Sequence, residues 1–240
     1  MQRVLFIALA FLMTASGCRE IFAKRIKGNG NVSTENRQVS NFNSVDVSGA
    51  IDVYVSQSPE SSIRIEGDDN LLEFIEVYEE GGTLKIHTRR GVNINPSQSM
   101  KVHVSNPEWK GFEASGACNI IGRDLIRTTG DVKIDLSGAS DVDMQLDAPR
   151  IGTEVSGAGS VKLSGKTRDF SVDGSGSTSV KCFDLLAENV RVDISGAGDA
   201  EVFASVKLDV DVSGAANVAY EGNAAVTQDI SGAGSVKKRD

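Results

Sequence analysis

Asp135-Leu136-Ser137-Gly138-Ala139 returns after a short interval as Glu154-Val155-Ser156-Gly157-Ala158, then as Asp173-Gly174-Ser175-Gly176-Ser177 and Asp193-Ile194-Ser195-Gly196-Ala197. Two copies follow, Asp211 to Ala215 and Asp229 to Ala233, and two precede, Asp46 to Ala50 and Glu113 to Ala117. From Ser115 onward the serines are spaced by 22, 19, 19, 20, 18 and 18 residues. A fixed period near 19 identifies a repeat architecture.

Aligned on its serine, each copy has an acid two residues before and a glycine directly after. The residue between acid and serine is aliphatic except at Gly174, and another aliphatic residue stands five after each serine, from Val53 to Val236. Acid outward and neighbours inward is the alternation of a half-buried strand. Glycine then breaks the strand, because a corner needs a backbone shape that a Cβ resists. The corner glycines are Gly49, Gly116, Gly138, Gly157, Gly176, Gly196, Gly214 and Gly232. Stacked turns of this kind bury one apolar column and pair each strand with its equivalent above and below, which predicts a β-solenoid of about 19 residues per turn. The alternatives are a β-propeller or an antiparallel barrel. A propeller blade needs about 40 residues, twice this period. An antiparallel meander would put the phrase at alternating ends of the sheet and gives no reason for one identical corner per turn.

Upstream the pattern loosens. Val45 to Val55, Ile63 to Ile65, Thr83 to His87 and Met100 to Val104 read as strands, and Glu80-Gly81-Gly82 as a hairpin turn. Leu71, Phe74, Ile75 and Tyr78 have helical spacing, predicting one short helix over Leu71 to Val77. The expected layout is an irregular β module at 30–112 containing that helix, continuous with repeats at 113–240.

Residues 1–17 have the form of a secretory signal: Arg3, an apolar run from Val4 to Met13, then small residues at Ala15, Ser16 and Gly17. The run is too short to span a membrane. Small residues directly before Cys18 resemble the bacterial lipoprotein lipobox, which implies cleavage before Cys18 and lipid on that residue. Residues 18–29 then form a tether, and Arg19 in place of Asp favours the outer membrane. The expected location is the cell envelope, as an outer-membrane lipoprotein that is periplasmic or surface-exposed. Cys118 and Cys182 are three repeats apart, about 14 Å at a strand spacing of about 4.8 Å, beyond disulfide reach.

The Ser-Gly-Ala array, Asn43 to Gly49, and Gly67-Asp68-Asp69-Asn70-Leu71-Leu72 resemble the putative auto-transporter adhesin head domain, or GIN domain, over residues 30–236. The resemblance implies a right-handed parallel β-helix in a cell-envelope protein. It supplies no catalytic residues.

Aromatic residues make up 5% of the chain and its net charge is −8, so a nucleic-acid partner, which needs a basic stripe, is not expected. His87 and His103 read as strand residues on a solvated face. Eight equivalent serines do not make one nucleophile, and no cofactor is expected. In register the acids form a column whose neighbours repel by roughly 0.9 kcal/mol in water. That column reads as a solvated face. A sharper reading takes Asp135 with Asp141, and Asp193 with Asp199, as Ca²⁺ candidates flanking one corner each. The expected function is a non-catalytic adhesin-like or structural module with an unidentified glycan or protein ligand. The other class open to such a fold is a polysaccharide lyase or hydrolase.

Overall fold

The structure is a computed structural model that describes residues 24–239. Cys18, the signal segment and the first half of the tether, residues 18–23, lie outside the described residues. Strand covers 77% of the described residues and helix 2%, so the class is all-β.

Two short parallel strands, β1 (Lys24–Lys27) and β8 (Val92–Asn95), form a separate small sheet. Everything else belongs to one large sheet. One wall of it runs through β2 (Val32–Arg37), β5 (Ser62–Asp68), β9 (Met100–Asn106), β4 (Ile51–Gln57) and β11 (Asn119–Arg127). The other runs through β6 (Ile75–Glu80), β7 (Thr83–Thr88), β3 (Ser44–Gly49), β10 (Gly111–Gly116) and β12 (Val132–Gly138). Strand β13 (Asp141–Gly157) belongs to both, since its first half pairs β11 and its second half pairs β12. The very long β14 (Ser160–Glu221) continues both walls, and β15 (Ala225–Gly232) and β16 (Ser235–Lys238) finish them.

This corrects the expected right-handed parallel β-helix. The sheet bends round its core through the shared strands and is nearly closed and barrel-like, with mixed strand orientation. Pairing is parallel where a whole repeat separates two strands, because that length gives the chain a path back to its starting side. It is antiparallel where the return is short or the module irregular: β6 with β7, β5 with β9, and β2 with β5. The β6–β7 reversal is made by Gly81 and Gly82, whose φ of 62° and 83° suit a tight hairpin. The phrase itself is held in register, with Ser115 opposite Ser48 and Ser137, and Ser156 opposite Ser175.

The helix is also shorter than its spacing suggested. The element α1 (Asp69–Leu72) has only four residues, and Ile75 already opens β6. Leu71, Leu72 and Ile75 are all buried, which serves a helical turn and a strand start equally. Pairing of Ile75 to Glu80 with β7 supplies backbone hydrogen bonds that one isolated turn cannot match.

The core is the column beneath the phrase, including Val47, Leu136, Val155, Ile194 and Val212, each at most 3% exposed. At the N-terminal module it is closed by Phe42, Trp109 and Phe112, with the Trp109 indole N–H donating to the Ser56 carbonyl at 3.0 Å.

Candidate binding faces

The outward acids form the ladder the sequence implied. Asp46, Glu113, Asp135, Glu154 and Asp173 are successive Cα partners on one wall, with the serine column beside them. Together they line a shallow trough. Cations interleave with the acids. Lys85 Nζ lies 2.7 Å from Asp46, and Lys133 Nζ lies 3.0 Å from Asp135 and 3.2 Å from Glu154. The Asp46 partner holds the Lys85 ammonium above its ordinary range. Glu113 sits between two acids, and desolvation, followed by the charge of Asp46, pushes its carboxyl up.

A second column runs down the opposite wall, built from Asp, Asn and Ser at one position of the repeat. Asn119 Nδ2 donates to Asp52 Oδ1 at 2.7 Å, the Ser160 N–H to Asp141 Oδ1 at 2.9 Å, Asn217 Nδ2 to Asp199 Oδ1 at 3.1 Å, and Ser235 Oγ to Asn217 Oδ1 at 2.8 Å. Amides and hydroxyls placed between carboxylates turn repulsion into a hydrogen-bonded ladder.

The four residues singled out for Ca²⁺ therefore have partners within the chain. Asp135 has Lys133, Asp141 the Ser160 amide, Asp193 the Arg191 guanidinium at 3.3 Å, and Asp199 the Asn217 amide. Among the described residues, no three His, Cys, Asp or Glu side chains gather in a group that could hold a metal ion. The eight corner glycines form their own column, and all eight adopt positive φ.

His87 lies on β7 edge-on to Tyr78, with ring centroids 5.6 Å apart. His103 lies on β9, stacked on Tyr54 at 5.0 Å, with Glu66 Oε2 at 3.6 Å from Nε2. Desolvation, then the charge of Arg64, lowers its pKa. Both remaining cysteines are free and buried; burial raises the Cys118 thiol and pushes Cys182 up to about 12. Neither offers a thiolate at neutral pH.

One cluster was not read from the sequence. The Arg123 guanidinium lies over the Tyr54 ring at 4.2 Å, and the strand order β9, β4, β11 presents His103, Tyr54 and Arg123 as a row. Alternation puts Tyr54 and His103 on outward positions of their strands, but only the β4–β9 register brings them together.

The family model described as "Putative auto-transporter adhesin, head GIN domain" matches residues 41–224. No curated protein sequence matches the chain. Among solved structures, the chain is similar to a protein of Bacteroides fragilis NCTC 9343 described as a putative adhesin, at TM-score 0.82 and 23% identity, covering 89% of this chain and 100% of the other. A putative adhesin of Parabacteroides distasonis ATCC 8503 aligns at TM-score 0.73 and 22% identity, over 90% and 100%. A protein from the same strain described as a putative lipid binding protein aligns at 0.68 and 23%, over 90% and 100%. At these identities the likeness is one of fold.

Proposed function

Because the chain belongs to the family of the putative auto-transporter adhesin head GIN domain, we propose that it is a non-catalytic cell-envelope module that presents its sheet walls to a glycan or protein ligand. In this reading it is held to the outer membrane by lipid on Cys18. The observation that carries it is the form of the walls. Repeated, in-register side chains cover them, and the polar groups are engaged with one another down the ladder. Such a surface offers many equivalent weak contacts, which suits adhesion through summed interactions. It does not gather an acid, a base and a nucleophile at one point, which turnover by general acid–base chemistry requires.

The test is a glycan and matrix-protein binding array, run beside a polysaccharide panel assayed for new reducing ends and unsaturated products. The proposal expects retention on a ligand and no product. Catalytic turnover of any polysaccharide contradicts it.

A further inference from the structure

The large sheet has four strands with a single partner among the described residues: β2 and β6 at its N-terminal end, β15 and β16 at its C-terminal end. A free edge recruits other strands unless it is guarded, usually by charge, proline or inward-pointing ionic groups. Three of the four are guarded. Strand β2 sets Glu35 and Arg37 opposite the buried Ile65 and Ile63, and pairs the two charges at 3.0 Å. Strand β6 carries Glu76, Glu79 and Glu80, and β16 carries Lys237 and Lys238.

Strand β15 is different. Its sequence, Ala225-Val226-Thr227-Gln228-Asp229-Ile230-Ser231-Gly232, contains one charge and no proline. Val226, Gln228 and Ile230 lie over Leu208, Val210 and Val212, which are at most 4% exposed, so they stand on the end of the core column. Val226 is itself 36% exposed.

We infer that β15 is a docking edge for a second copy of this chain, paired antiparallel about a two-fold axis through Gln228. The sequence of the strand is self-complementary in that register. Val226 faces the partner's Ile230 on the core side, and Gln228 faces the partner's Gln228, amide to amide. On the solvent side Thr227 faces the partner's Asp229, and Ala225 faces the partner's Ser231. No like charges meet, and the two exposed core ends cover each other. A head-to-tail arrangement would instead set Asp229 against the glutamates of β6. Strand β1 lies in the N-terminal module, at the other end of the ladder, so the two-fold directs the N-termini apart. If the envelope reading holds, two anchored copies would then meet across the gap between two membranes. The pairing itself does not depend on the anchor.

Two measurements test it. Gln228→Cys in the full-length chain places two thiols on the axis, with Cβ atoms about 4.5–5.5 Å apart, at the edge of the range a disulfide can bridge. A disulfide dimer on a non-reducing gel is expected from Gln228→Cys and not from Thr227→Cys, whose neighbour is the partner's Asp229. Sedimentation of the native chain should show a concentration-dependent dimer. Gln228→Lys, with an unchanged circular dichroism spectrum, should shift it to monomer. A native chain that stays monomeric at every concentration overturns the proposal. So does a dimer indifferent to Gln228→Lys, or a Gln228→Cys chain cross-linked only to unrelated proteins. Cys18→Ser fractionation reads the anchor alone, so failure of the pairing and failure of the envelope reading are separable.

Discussion

Gly174 and Thr178 are a matched pair: a Cβ at Gly174 would stand 3.0 Å from Thr178 Oγ1 and 3.3 Å from its Cβ and Cγ2. Gly174 is the one copy of the phrase without a side chain before its serine, and Thr178 is bulkier than Gly159 and Gly198, its equivalents in the turns on either side. The threonine side chain fills the space the glycine leaves. Gly174→Ala should therefore destabilise the native chain, by about 1–3 kcal/mol from overpacking. In a Thr178→Gly background it should be close to neutral. A double-mutant cycle from denaturant unfolding measures this, and purely additive losses count against the pairing.

Thr178 Oγ1 is buried without a hydrogen-bond partner among the described residues. Thr178→Val keeps the shape and removes the orphaned hydroxyl, so it should raise stability, by about 1 kcal/mol. A lowered denaturation midpoint would mean the hydroxyl is satisfied in solution.

The corner glycines separate strain from contact. Gly49 has φ 109°, and a Cβ there meets nothing nearer than Thr88 Oγ1 at 3.9 Å. Gly157 has the same φ, but a Cβ there collides with the Gly138 carbonyl oxygen of the preceding turn. Alanine at either position carries the left-handed cost of about 1–2 kcal/mol. Only Gly157→Ala adds a backbone collision, so it should lose clearly more in chemical denaturation. Equal losses would show that the turns do not stack this closely.

Much of this was legible in the sequence, and the reason is local. Acid, aliphatic residue, serine and glycine each have a physical preference within a few residues, so strand, corner and register follow from the phrase. What was not legible depends on distant pairing. Ile75 could close a helix or open a strand, and β7 decides it. The mixed orientation of β2, β5 and β6 comes from an N-terminal module that carries a single copy of the phrase, Asp46 to Ala50, and is otherwise irregular, and the family resemblance gave no sign of it. Tyr54, His103 and Arg123 were invisible as a group because the residues lie on three strands that are not adjacent in the chain.

Two carboxyls should give pH effects of opposite sign. Asp68 is 1% exposed and accepts hydrogen bonds from the Ser97 hydroxyl at 2.7 Å, the Ser97 N–H at 2.8 Å and the Gly30 N–H at 2.7 Å. These bonds, the Ser97 hydroxyl first, lower its pKa below the ordinary 3.8. Its contribution to stability is present in full above that ordinary value and is lost as the pH falls through the lowered one. Asp68→Asn should flatten the acid limb of the melting profile. An acid limb unchanged by the substitution would remove Asp68 as its cause.

Glu113 behaves in reverse. Its folded pKa lies above the ordinary 4.5, so ionisation opposes folding and stability falls as the pH rises from 4.5 through the raised value. Glu113→Gln should raise Tm at neutral pH and leave it little changed at pH values well below 4.5. A lower Tm at neutral pH would show that Glu113 draws more from Lys85 and Lys133 than it loses to its acidic neighbours.

Attachment to the envelope through Cys18 is the claim on which the proposed role turns, and cell fractionation with labelled palmitate tests it most directly. The account predicts that the native chain pellets with membranes and takes up label, and that Cys18→Ser appears in the soluble fraction without label. A Cys18→Ser chain that still pellets and still incorporates palmitate contradicts it.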